Sequence, residues 1–117
     1  MPTPDKLATD AAVAIMLAEG FEEVEALAVA DVLYRAGVRA DLISVTDARH
    51  VTSSHGIRVV ADLMLEDTDL STYALLFLPG GMPGTLGLKA TPAIQEEVLR
   101  RADAGELIAA ICAAPSI

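Results

Sequence analysis

A chain of 117 residues with 53% hydrophobic and 21% charged side chains is long enough for one domain and too apolar to be disordered. Eight Lys and Arg against 17 Asp and Glu give a net charge of −9, which repels phosphate backbones and anionic lipid and argues against nucleic-acid or membrane-surface partners. The single cysteine excludes an internal disulfide and multi-cysteine metal sites, and no apolar run is long enough to span a bilayer, so a soluble, cytoplasmic protein is the default expectation.

Met1 to Asp10 reads as a loose leader, and residues 11–117 as the folded part. The apolar run Ala12 to Leu17 predicts a buried strand, and Glu22 to Ala36 carries a helical pattern that stops at Gly37. Arg39 to Val45 predicts a second strand. Val51 to Val60 reads as a hairpin turning near His55-Gly56, and Tyr73 to Leu78 as a further buried strand halted by Pro79-Gly80-Gly81. Thr91 and Pro92 mark the start of a helix that runs to about Ala104, before Gly105, and Leu107 to Ile111 is the last strand. Apolar strands alternating with helices indicate an α/β fold with a parallel sheet sandwiched by helices. A strand such as Leu107–Ile111 is normally succeeded by a covering helix, so these residues are expected to form the N-terminal portion of a larger unit, with part of the sheet left bare.

Three groups of residues could carry chemistry. Cys112 comes after the last strand with alanines two positions before and after it, Ala110 and Ala114, which meets the small-residue demand of a nucleophile elbow. Pro115 suits the first turn of a succeeding helix, whose N-terminus would favour a thiolate. A buried packing cysteine is the alternative that spacing leaves open. The loop Pro79 to Gly84 comes after a strand, at the sheet edge where α/β ligand sites form, and its paired glycines can turn backbone N–H groups into an anion nest or oxyanion hole; an ordinary tight turn fits equally.

The third group is the acidic cluster Glu19, Glu22, Glu23 and Glu25. Glu22 and Glu23 suit the first turn of a helix. At about 100° per residue Glu25 falls between Val32 and Ala36, near Val29, on an apolar stripe. A carboxyl there loses hydration and, beside a thiol, would form an acid–base pair; an edge-exposed or partnered Glu is the alternative. His50 and His55 lack the spacing of a helical zinc pair and read as solvent-exposed loop histidines.

Together LAEGFEEVEAL, DVLYRAGV, LFLPGGMPG and above all LIAAICAAP resemble the ThiJ/PfpI superfamily, in the branch of the parkinsonism-associated deglycase and its small bacterial relatives, over Ala12 to Ile117. The resemblance implies a flavodoxin-like fold with Cys112 as the reactive cysteine and Glu25 as the protonated glutamate beside it. Gly80, Gly81 and Ala113 would supply pocket backbone. Arg35 and His55 would approach the neighbouring subunit's site, the latter at a position usually held by Arg. It further implies a homodimer acting on small reactive carbonyls such as methylglyoxal, with no metal or nucleotide. The alternatives are a redox-sensing or chaperone-like stress protein that uses oxidation of Cys112 without turnover and, further off, a peptidase. Relatives continue past the elbow and supply a histidine near the cysteine, so a companion C-terminal fragment is expected to complete the site.

Overall fold

The computed structural model describes all 117 residues. Five strands form one parallel sheet: β1 (Ala12–Leu17), β2 (Arg39–Ser44), β5 (Leu63–Met64), β6 (Leu75–Leu78) and β7 (Leu107–Ala110), in the order β5-β2-β1-β6-β7. A separate antiparallel hairpin pairs β3 (His50–Thr52) with β4 (Arg58–Val60), turning through Gly56 at φ 79°. The helices are α1 (Glu23–Arg35), α2 (Gly84–Lys89) and α3 (Pro92–Ala104). The parallel sheet and flanking helices agree with the expected α/β class.

All six residues of β1 are buried, and their period-2 alternation divides the core into two layers. Ala12, Ala14 and Met16 pack with Leu88 of α2 and Ile94 of α3, whereas Val13, Ile15 and Leu17 pack with Ala26 and Ala30 of α1. Both faces of the central strands are therefore covered. Bareness falls at the sheet edges, where Leu107 of β7 is 62% and Leu63 of β5 37% exposed, and Ile111, just past β7, is 43% exposed.

Helix ends obey local chemistry. The Glu22 carboxylate accepts from the Val24 amide at 3.1 Å and caps α1, which ends before Gly37 at φ 78°. Gly105 closes α3 at φ 71°. Thr91 stands at the N-cap of α3 as expected, but its hydroxyl donates back to the Gly87 carbonyl at 2.8 Å and caps nothing. Residues 1–10 contain no helix or strand, yet Pro4 is buried, the Ala8 amide donates to Gly37 O at 2.9 Å, and the terminal ammonium pairs with Asp62.

Arg101 has no exposed surface at all. Its guanidinium donates to Glu97 at 2.8 Å, to Leu70 O at 2.8 Å, to Tyr73 O at 2.6 Å and to Leu107 O at 3.1 Å. One side chain thus joins α3, the turn before β6 and the start of β7, with the charge balanced by Glu97. That brace fixes the root of the strand that leads to Cys112.

Candidate active site

β7 ends at Ala110, and two residues later Cys112 takes φ 60°, the one non-glycine residue of the chain with positive φ. A left-handed cysteine between a strand and a turn is the strained geometry of a nucleophile elbow. Ile111 N donates to Leu78 O at 3.3 Å, and Ala114 N closes the turn on Ile111 O at 3.0 Å. Within these residues Cys112 is exposed. After Cys112, Ala114–Ser116 form a 3-10 turn with Pro115 in its first turn.

Gly80 lies at the carboxyl end of β6, opposite this elbow. A Cβ placed on it would stand 2.8 Å from Cys112 Cβ, 3.0 Å from Ile111 O and 3.1 Å from Glu25 Oε2. Only a residue without a side chain allows the three to converge. Gly81, at φ 97°, has its missing Cβ 2.4 Å from the Glu22 nitrogen, and Glu22 N donates to Gly80 O at 2.9 Å. The loop is therefore pressed against the start of α1, the element that carries Glu25.

Glu25 Oε2 is buried and has no hydrogen-bond partner. Leaving such an oxygen unpaired costs about 1–3 kcal/mol, so its position is not explained by stability. The expected reason for its burial needs correction. Val32 and Ala36, the supposed apolar stripe, are exposed, and α1 buries Ala26 and Ala30 instead. Glu25 is enclosed because the first turns of α1 abut the sheet edge beneath Gly80.

The amides of Gly80, Gly81, Cys112 and Ala113 donate to no other group of the chain. The main concavities lie elsewhere, one of about 320 Å³ between Met1, Leu27, Tyr34 and Leu42. The candidate site is located by the convergence of Cys112, Glu25 and Gly80 and not by depth.

The remaining expected residues divide. Arg35 sits at the far end of α1, largely exposed and paired with Asp31 at 2.9 Å. Within this chain it takes no part in the Cys112 cluster. His50 begins β3 and is exposed, as expected, though on a strand. His55 is exposed but not idle: its Nδ1 lies 2.7 Å from Glu23 Oε1 and 3.8 Å from Glu22 Oε2. The hydrogen bond to Glu23, then the charges of Glu23 and Glu22, raise its pKa above the ordinary imidazole value; the same hydrogen bond holds Glu23 below the usual carboxyl range. Glu22, Glu23 and His55 are the one His/Cys/Asp/Glu trio whose donor atoms gather closely, and they do so as this hydrogen-bonded pair beside a helix cap. Glu19 accepts from Thr52 N at 3.2 Å and clips the hairpin to the β1–α1 loop, a role that spacing does not suggest.

Residues 11–117 match the model of the DJ-1/PfpI family. The chain belongs to that family. "Protein DJ-1 homolog B" of Arabidopsis thaliana is 40% identical over 90% of this chain and 24% of its own length. "Glutathione-independent glyoxalase DJR-1.2" of Caenorhabditis elegans is 34% identical over 94% of this chain and 58% of its own. Among solved structures, oxidized Toxoplasma gondii DJ-1 superposes with a TM-score of 0.85 at 36% identity, covering 90% of this chain and 57% of that one. This DJ-1/PfpI chain thus spans from about a quarter to somewhat over half the length of these relatives. No helix in it is long and apolar enough to cross a membrane.

Proposed function

We propose that the site converts small 2-oxoaldehydes such as methylglyoxal, with Cys112 as nucleophile and no cofactor. The observation that carries this is the convergence of Cys112, Glu25 and Gly80: an exposed thiol in left-handed backbone, beside a buried carboxyl oxygen that bonds to nothing else. The Cys112 thiolate adds to the aldehyde carbon, forming a C–S bond as the carbonyl π electrons move to oxygen. The resulting oxyanion is received by backbone N–H groups of Gly80, Gly81 and Ala113, and protonation gives a hemithioacetal. Glu25 takes the proton from the hemithioacetal carbon and returns it to the neighbouring ketone carbon, while the hydroxyl proton passes to the ketone oxygen, so that the adduct isomerises to a lactoyl thioester. Water then breaks the C–S bond, restoring the thiol, so that methylglyoxal plus water becomes lactate. Removal of early glycation adducts would use the same addition. The glyoxalase name of the C. elegans relative supports this class of substrate.

The working protein is proposed to be a homodimer. Support for the dimer comes from α1, which exposes Val24 and Val32 on its outer face. Arg35 and His55 are the candidates for reaching a neighbouring subunit, and the cytoplasm is the proposed location.

A second reading, redox sensing through oxidation of Cys112 to a sulfinate, is favoured by the exposure of the thiol and by the relative solved in an oxidized state. Comparing methylglyoxal consumption with intact mass after peroxide separates the two. Lactate formation that is lost in Cys112→Ser supports turnover; a gain of two oxygens on Cys112 without lactate formation supports sensing.

A further inference from the structure

We infer that His55 is a positioning residue for this site: its imidazole ties the tip of the β3–β4 hairpin to the first turn of α1, and through that turn holds Glu25 against the Gly80–Gly81 loop. The segment Gly20–Glu23 lies between two partners. On one side the hairpin grips it, with Ser54 N donating to Phe21 O at 2.8 Å and Gly20 N donating to Thr52 O at 2.8 Å. On the other side it holds the glycine loop, with Glu22 N donating to Gly80 O at 2.9 Å and Gly84 N to Gly20 O at 3.1 Å. The His55–Glu23 contact, at 2.7 Å, is the ion pair in this lacework and the one member that titrates near neutrality.

The charges around His55 act in one direction. Glu23 and Glu22 face it from α1, and Glu19, from the β1–α1 loop, accepts from Thr52 N at the hairpin's base. On the hairpin itself, Arg58 and His50 stand on the strands outside the turn. The pair is thus charged in weakly acidic solution, and the hairpin should loosen from Gly20–Glu23 as His55 loses its proton. The family resemblance places this position at the neighbouring subunit's site, whereas here Nδ1 is already engaged by Glu23 of its own chain.

The inference rests on reading Cys112 and Glu25 as the working pair, but its test does not depend on turnover. Amide hydrogen exchange at Ser54, Glu22 and Gly84, corrected for intrinsic rates, should quicken about twofold to fivefold as pH rises through the titration of His55, the size an ion pair at a surface supplies. His55→Ala should show the faster exchange at every pH, and His55→Arg, which keeps a charge, should show the slower exchange at every pH. Exchange that ignores pH and is unchanged in His55→Ala would overturn the inference. The same measurement on Cys112→Ser should match wild type, so a failure of the carbonyl chemistry would be seen separately from a failure of this inference.

Discussion

Gly80 and Cys112 approach so closely that a side chain on the first would strike the second, with only 2.8 Å between the two Cβ positions. The strand order produces this contact. β6 and β7 are parallel neighbours in register from Leu75↔Leu107 to Leu78↔Ala110, so both chains leave the sheet at the same edge and turn above it together. A glycine on one turn leaves room for Cys112 on the other.

Gly80→Ala should therefore damage the site more than the fold. The added methyl must displace Cys112, Ile111 or Glu25, at about 1–3 kcal/mol of overpacking, and the elbow is the softest of these. Carbonyl turnover should fall by at least about tenfold, since a nucleophile held out of line forfeits orientation. Far-UV circular dichroism and the alkylation rate of Cys112 should report a native fold with an altered thiol.

Glu25→Gln should be tolerated structurally, because Glu25 Oε2 makes no hydrogen bond whose loss could be felt. Unfolding free energy should stay within about 1 kcal/mol of wild type, while turnover falls by about a hundredfold or more, as expected for loss of a general acid–base group. Equal losses in stability and activity would assign Glu25 to structure instead.

The left-handed backbone at Cys112 makes a converse prediction. Cys112→Gly removes a strained residue from φ 60° and should raise stability by up to about 1 kcal/mol while abolishing activity. Denaturant unfolding of Cys112→Gly, compared with Cys112→Ala, isolates the strain from the loss of the thiol.

The contribution of the Glu23–His55 pair should be confined to a window of pH. His55 is raised above its ordinary value of 6.5, so its share is fully present below 6.5 and is lost as pH rises through the folded-state value. Glu23 is lowered below its ordinary 4.5, so its share is present above 4.5 and is lost as pH falls through the folded-state value. The difference in Tm between wild type and His55→Gln should be largest between 4.5 and 6.5 and shrink on both sides.

Much of this arrangement is legible in the sequence, unevenly and for physical reasons. The apolar runs that form β1, β2, β6 and β7, and the stops at Gly37 and Gly105, are local signals and can be read as such. The short helix α2 cannot, because Gly84–Lys89 contains two glycines and is held by tertiary contact, with Gly84 pressed against Phe21. Cys112 is recognisable from its flanking alanines. Glu25 stands out in the sequence for a stripe shared with Val32 and Ala36, but its burial comes from the Gly80 loop. The contacts of Arg101 with Leu70 and Tyr73, and of His55 with Glu23, join residues about thirty positions apart, which periodicity does not encode.

The central claim is that Cys112, assisted by Glu25, attacks a small aldehyde. The most direct measurement tracks methylglyoxal and lactate together, without glutathione or metal, using the protein that carries this chain and its Cys112→Ser counterpart. We expect wild type to form one lactate for each methylglyoxal consumed and Cys112→Ser to form none above the uncatalysed rate. Equal consumption by both proteins, or lactate formation that survives the loss of the thiol, would contradict the account.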